Sequence, residues 1–459
     1  MNRPLDPRTA RRRYALAAVL LWLPVGLAIA PMVLLFTERG MALTAIAGFV
    51  AAHSLTAAVL ELPTGGLSDV LGRRAVLAAA GLLNLAALTL QALGTHAWML
   101  ALGMALMGAG RALASGPAEA WYVETVHAHS GPGADLRTGL ARGSAAASAA
   151  LAAGTALGGA VPWLLGVGPD LGARLSGATS GIVLPLSVPL LLGALLEVAF
   201  VLYVLAALPE PPRPPAVLRD VLRGVPAAVA DGLRLAGSDV LVRRVLLGAA
   251  AAGCALATVE LLAPGRAAAF AGTPGSGAVL FAALACAGFL CSALGSHLAP
   301  AAARLAGSGR RAVVLGFAVV TCGLLLLAAT AAAPAASAPA AVLAALGYGL
   351  VYLGLGAAGP NENDILHRRV TGSVRATALS VQSLSLQLAG ALAGLAAGAL
   401  PHSAWRWLPA ALATTAAALL WTARSPRTRN RAGSAPRPPA RVNKGQVRAI
   451  SGDLSDCSP

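Results

Sequence analysis

The sequence predicts an all-α integral membrane protein, with twelve transmembrane helices arranged as two six-helix bundles. Three observations lead there. Only 11% of the 459 residues are charged, whereas a soluble chain of this length needs about 25%. Mean hydropathy is +0.73, and the apolar residues collect in runs of about 20, the length that crosses a bilayer. The arginines sit between those runs, crowded on alternate sides. A net charge of +16 would suit nucleic acid, but aromatic residues are only 4%. Arginines that flank apolar runs set membrane topology rather than bind phosphate, so no nucleic-acid partner is expected.

The first run, 14–36, follows Arg11-Arg12-Arg13 as a signal peptide would. It is too long for a signal core and lacks a small-residue cleavage site, so it reads as span 1. Spans 2 to 4 follow at 42–63, 75–95 and 98–122. Span 5, 140–164, is alanine-rich and weak by itself, and the regular alternation of its neighbours supports it. Span 6 covers 181–207. The segment 209–244 opens with Pro209-Glu210-Pro211-Pro212-Arg213-Pro214-Pro215, which no regular helix accommodates. Behind it Val217, Leu218, Val221 and Leu222 recur at helical spacing among arginines, as in a helix lying on a membrane surface. The second half repeats the first, with spans at 245–266, 277–299, 312–332, 339–360, 375–399 and 405–424. The tail, 425–459, is rich in Arg, Pro, Ser and Gly and reads as disordered.

Arginine placement tests this count. With the N-terminus inside, 29 of the 34 Lys and Arg residues fall in inner loops and termini. Arg39, Arg174, Arg266 and Arg406 belong to the outer side, and Arg111 alone lies deep within a span rather than at a span end. A missed helix would invert the bias downstream. The expected domains are therefore 1–208 and 245–424 as bundles, 209–244 as a cytoplasmic loop and 425–459 as a cytoplasmic tail. A single lysine, Lys444, among 33 arginines suggests a GC-rich bacterial genome, and hence the inner (plasma) membrane. Cys254, Cys286, Cys291, Cys322 and Cys457 have neither disulfide nor metal spacing.

Between spans 2 and 3 stands Gly65-Gly66-Leu67-Ser68-Asp69-Val70-Leu71-Gly72-Arg73-Arg74. Gly65 and Gly72 suit a tight turn. The pattern G-x-L-x-D-x-x-G-R-R/K resembles the loop 2–3 signature of the major facilitator superfamily of secondary transporters. Glu61-Leu62-Pro63-Thr64-Gly65, Ser115-Gly116-Pro117-Ala118-Glu119-Ala120 and Arg375-Ala376-Thr377-Ala378-Leu379-Ser380 are similar to a bacterial branch of it. Gly154-Thr155-Ala156-Leu157-Gly158-Gly159 resembles the G-P-x-x-G-G motif of proton-coupled drug exporters, with Thr155 in place of proline; close helix packing explains the same residues. Loop 8–9, with Gly295 and Gly309-Arg310-Arg311, reads as a degraded echo of loop 2–3.

The resemblance implies helices 1, 4, 7 and 10 around a central cavity, and 2, 5, 8 and 11 between the bundles. It implies a conformational latch of Gly65, Asp69, Gly72, Arg73 and Arg74, with Asp69 pairing with Arg73 and facing Arg375. Arg111 resembles the span-4 arginine linked to proton coupling, although Gly116 follows it by five residues rather than four.

A charge within the bilayer is costly, so Arg111 should face a cavity or a carboxylate. Glu260 in span 7 and His53 in span 2 are the other deep titratable groups suited to proton binding; a lone histidine is also often a satisfied polar group. Trp22, Tyr348, Tyr352 and Gln382 could line a substrate pocket or pack in the core. Neither a hydrolase triad nor a Walker motif nor a metal cluster appears, so the expectation is no enzyme, no cofactor and no ATP coupling within this chain. The expected partners are a small-molecule substrate, protons and the lipid bilayer, bound by a monomer. The leading functional expectation is proton-coupled export of small hydrophobic or amphipathic compounds. Its alternatives are a proton-linked metabolite importer, or a non-transporting receptor or scaffold on the same fold.

Overall fold

Lipid offers no hydrogen bonds, so a spanning segment must satisfy its backbone internally, and a helix does this alone. A computed structural model describes residues 5–131, 133–167, 169–210, 219, 223, 230, 234, 237, 239–332, 337–370, 373–401 and 404–423, with side chains at 62–66 and 373–377 outside that description. Among the described residues every regular element is helical. Eleven helices there are long and apolar enough to cross a membrane. The twelfth expected span is Leu408–Thr422, whose 15 residues reach only about 22 Å; a 3-10 turn, Trp405–Trp407, extends it. Val217, Leu218, Val221, Leu222 and the tail 425–459 lie outside the described residues.

Several boundaries differ from the apolar runs because helices end where caps and turns end them, not where hydropathy falls. Span 1 starts at Pro7, where Asp6 accepts bonds from the Arg8 and Thr9 N–H groups, and runs to Ile29; a short helix, Met32–Glu38, continues it. Span 2 is Leu43–Leu71 and span 3 is Arg73–Leu93. The helix therefore runs straight through Gly65, which corrects its expected role in a turn. The turn is Gly72 alone, at φ 96°, a region that glycine enters without the Cβ penalty.

Span 4 is two helices, Ala97–Ala114 and Pro117–Ser130. Gly116 at φ 91° makes the break, and Pro117 at the first helical position starts the next helix with a preset φ. Spans 5 and 6 are Arg137–Leu165 and Val188–Ala207. Spans 8, 9 and 11 are Pro274–Leu305, Gly309–Ala331 and Ser373–Ala399. Span 10, Ala338–Arg369, outruns its apolar stretch and carries Asn361, Glu362, Asn363 and Asp364 as helix.

Span 7, Val240–Ala271, begins before its apolar run because Asp239 caps it, accepting from Leu241 and Val242 N–H. The Asp239 carboxylate also meets Arg369 at 2.6 Å, tying span 7 to the end of span 10. Partial burial pushes this carboxyl up, but the Arg369 bond and the two N–H bonds outweigh it and hold it below its ordinary 3.8. A depressed carboxyl stabilises the fold above its unfolded value, and the gain disappears as pH falls through the folded value. Asp239→Ala should therefore lower Tm at neutral pH, with a cost of about 0.5–2 kcal/mol for the lost cap. Asp239→Asn, which keeps a capping side chain, should cost less. The gap between wild type and Asp239→Asn should close as pH drops below about 3.8, read by thermal unfolding in detergent.

The packing repeats. Span 1 lies against spans 5 and 6, span 2 against 4, and span 3 against 4 and 6; span 7 lies against 11 and 12, span 8 against 10, and span 9 against 10 and 12. The halves meet where span 2 lies on 11 and span 5 on 8. Small residues allow both seams. On span 5, a Cβ at Gly158 would stand 2.4 Å from the Leu27 carbonyl oxygen of span 1, and one at Gly159 would stand 2.5 Å from the Ala282 Cβ of span 8.

The buried apolar residues divide unevenly along the molecule. One cluster, with Leu35, Phe36, Val259, Leu262, Phe281 and Trp407, joins both halves at the end far from Gly72. Near the hinge end each half keeps a core of its own, one around Trp121 and Phe200 and one around Phe317 and Trp421.

Candidate functional site

At the hinge, Arg73 begins span 3 and reaches back one turn. Its guanidinium meets Asp69 at 2.7 Å and Glu124, on the second helix of span 4, at 2.8 Å, and also donates to the Ser68 hydroxyl. The Glu210 carboxylate accepts the Arg73 and Arg74 backbone N–H groups at 2.8 and 3.2 Å, complementing the positive end of the helix. The Arg375 side chain lies outside the described residues. The second half keeps the plan with other atoms. Arg310, at the start of span 9, donates to the Trp421 and Ala423 carbonyls at the end of span 12. In both halves an arginine-bearing helix start is fastened to the residues closing that half's sixth helix.

Asp69 is 54% exposed and Glu124 36%, so neither pair adds much stability. The resemblance to secondary transporters makes Asp69→Asn an expected slow variant in transport, with expression and substrate affinity nearly unchanged. Asp69→Asn combined with Glu124→Gln should slow transport further, because the Arg73 guanidinium then loses both of its carboxylates. Initial rates against surface abundance measure both, and wild-type rates in the double variant would reduce the hinge to a topology signal.

Deeper in, span 4 carries Arg111 in the last turn of Ala97–Ala114. The break at Gly116 ends that helix, and the partial negative charge of a helix C-terminus favours a cation there. Arg111 and Glu260 of span 7 are both open to solvent. Each lies within electrostatic reach of the other, yet no hydrogen bond or ion pair joins either side chain to any described residue. Their separation therefore exceeds the 4.0 Å of an ion pair. Arg111 also lies within electrostatic reach of His53, whose Nδ1 is buried with no hydrogen-bond partner among the described residues. Gly108 lets spans 2 and 4 close at this point, since a Cβ would stand 2.3 Å from the His53 carbonyl oxygen.

Tyr348 and Tyr352 of span 10 lie within electrostatic reach of Glu260. Their rings stack with centroids 4.9 Å apart and their hydroxyls are 3.4 Å apart. Tyr348 is buried, 2% exposed, so it backs Tyr352, which is partly open. Phe281 meets Tyr348 edge-on at 6.3 Å. Trp22 is 39% exposed, and its neighbours in sequence occupy the other faces of span 1: Leu23 and Leu27 contact span 5 and Pro24 contacts span 6. Gln382 donates to Asn363 at 3.2 Å and so ties span 11 to span 10.

Three acidic groups matter more than the sequence reading suggested. Glu61 accepts from Ser383 of span 11 at 2.8 Å, a polar bond between the halves; its motif gave the only sequence signal. Glu362 is 4% exposed and accepts from the Trp421 indole at 3.2 Å. It sits two residues past the expected end of span 10, which hid it. Glu197 of span 6, with no exposure, accepts from Asn84 of span 3 at 3.2 Å. The matching contact in the second half is neutral, Thr321 with Thr414 at 2.9 Å.

Comparison with solved structures identifies the architecture. The model superposes on a mutant form of the nucleoside transporter NupG with TM-score 0.69 and 14% identity, over 90% of this chain and 99% of that one. A D-xylose-proton symporter gives 0.67 and 15% over 90% and 96%. A bacterial homologue of the human lysosomal transporter Spinster, inward-facing and unoccupied, gives 0.64 and 15% over 91% and 95%. The fold is that of the major facilitator superfamily. At these identities the likeness shows the major facilitator fold alone. No family model and no curated protein matches the sequence.

Proposed function

We propose that this protein is a proton-coupled secondary active transporter that exports small hydrophobic or amphipathic compounds. One observation carries the reading: Arg111 and Glu260, one from each half and each within an apolar span, lie within electrostatic reach of one another, and neither side chain bonds to a described residue. A scaffold has no use for such costly charges, whereas a transporter that rocks its halves around a midplane site does. In this reading Arg111, Glu260 and His53 form the coupling site, and Trp22, Tyr348, Tyr352 and Gln382 belong to the substrate cavity. The bundles 1–208 and 245–424 move against each other, joined by 209–244. The chain acts as a monomer in the inner membrane, with both termini cytoplasmic. The shared core at the far end and the separate cores at the hinge end support a cavity that opens toward the hinge, inward in this topology.

Export rather than proton-linked import is favoured by the span-5 resemblance, and the experiment decides it. Substrate uptake is measured in everted vesicles with and without an imposed proton gradient. Accumulation that needs an inside-acidic gradient supports export. Uptake indifferent to the gradient removes proton coupling, and gradient-driven loss from the vesicles reverses the direction.

A further inference from the structure

We propose, resting on the transport reading above, that the space between Arg111 and Glu260 takes an aromatic zwitterion. Its anionic end meets Arg111, its cationic end meets Glu260, and its ring lies against Tyr352. The argument begins with the charges. Both groups are solvent-accessible and near enough to feel one another, but neither bonds to a described residue. They stand on opposite halves, on spans 4 and 7. Among apolar helices an uncompensated charge costs far more than in water. A ligand with one charge answers one wall and leaves the other exposed. A ligand with both charges answers both and bridges the halves.

Arg111 suits a carboxylate, since its planar fork accepts one bidentately. Glu260 suits an ammonium group, and the adjoining tyrosine adds a ring face that attracts cations. Tyr352 is partly open, with Tyr348 stacked behind it and Phe281 edge-on to Tyr348. Gly288 of span 8 makes the stack possible: a Cβ there would stand 2.7 Å from Tyr348 Cε1 and 3.1 Å from Tyr352 Cδ2. The rings are thus backed by side chains and a bare helix surface, which gives the ligand a fixed aromatic wall rather than a mobile one.

The test uses three probes that share a phenylethyl group: phenylalanine with both charges, phenethylamine with the cation only, and 3-phenylpropionate with the anion only. Binding to the purified full chain is read by thermal stabilisation against probe concentration. Phenylalanine should act at concentrations at least about tenfold lower than either single-charge probe, a difference of about 1.4 kcal/mol. In Glu260→Gln its advantage over 3-phenylpropionate should vanish, and in Arg111→Gln its advantage over phenethylamine should vanish. If Arg111→Gln does not fold, Arg111→Lys serves, and should weaken phenylalanine and 3-phenylpropionate while sparing phenethylamine. Tyr352→Leu should weaken all three probes and Tyr352→Phe none.

The proposal fails if either single-charge probe binds as well as phenylalanine, if none of the three binds, or if both charge variants keep the wild-type order. The vesicle assay separates this from the parent reading. Gradient-driven transport without zwitterion preference sinks only the ligand class. Zwitterion preference without transport of any compound sinks the transport reading and leaves the site.

Discussion

Glu260→Gln should reduce gradient-driven transport to the level of vesicles lacking the protein, while substrate exchange across the membrane continues. Exchange needs no net proton movement, so it survives loss of the titrating group once substrate is raised to offset the weaker binding of a zwitterion. Accumulation against a gradient cannot proceed without that group. Glutamine fills nearly the same volume, and Glu260 makes no hydrogen bond or ion pair to a described residue. Folding should therefore be undisturbed, and the loss of gradient-driven accumulation should persist at saturating substrate. Counterflow and gradient-driven uptake in one reconstituted preparation measure the two separately. Full gradient-driven transport in Glu260→Gln would move the coupling role to His53. Arg111→Ala is a coarser probe: it removes the cation that faces both groups and leaves a broken-helix terminus unbalanced, so a loss there could reflect misfolding.

The second large effect is expected on span 5, where two adjacent glycines face different helices. A Cβ at Gly158 would lie 2.4 Å from a backbone oxygen of span 1, inside the first half. Backbone cannot yield as a side chain can, so Gly158→Val should cost at least the 1–3 kcal/mol typical of overpacking and lower Tm and yield. At Gly159 the obstacle is Ala282 Cβ at 2.5 Å and the Ala278 oxygen at 2.6 Å, both across the seam between the halves. Gly159→Val should instead loosen the far-end closure and leave each bundle intact. Cys286 reports on the same seam, since its Sγ donates to the Ala152 oxygen at 3.6 Å. In a background where Cys286 is the only cysteine, Gly159→Val should raise its maleimide labelling severalfold with a small change in Tm. Unchanged labelling would show that the seam does not open there.

The sequence by itself determined the membrane class, the number and order of the spans and the repeat of the halves. Each rests on a physical quantity that acts locally along the chain: the bilayer's thickness, the cost of exposed backbone in lipid, and the glycines and arginines at the turns. Arg111 and Glu260 were legible for the same reason, as charges inside apolar runs. The tertiary structure decided what those residues meet. No spacing rule brings Arg111 of span 4 opposite Glu260 of span 7, or Ser383 onto Glu61, because these contacts join residues more than a hundred positions apart. Helix limits also depended on bonds rather than on hydropathy. Gly65 lies in unbroken helix because nothing at that point requires a positive φ. Glu362 is buried because span 10 carries on past its apolar run, and its carboxylate finds the Trp421 indole on span 12 only once the second bundle has closed.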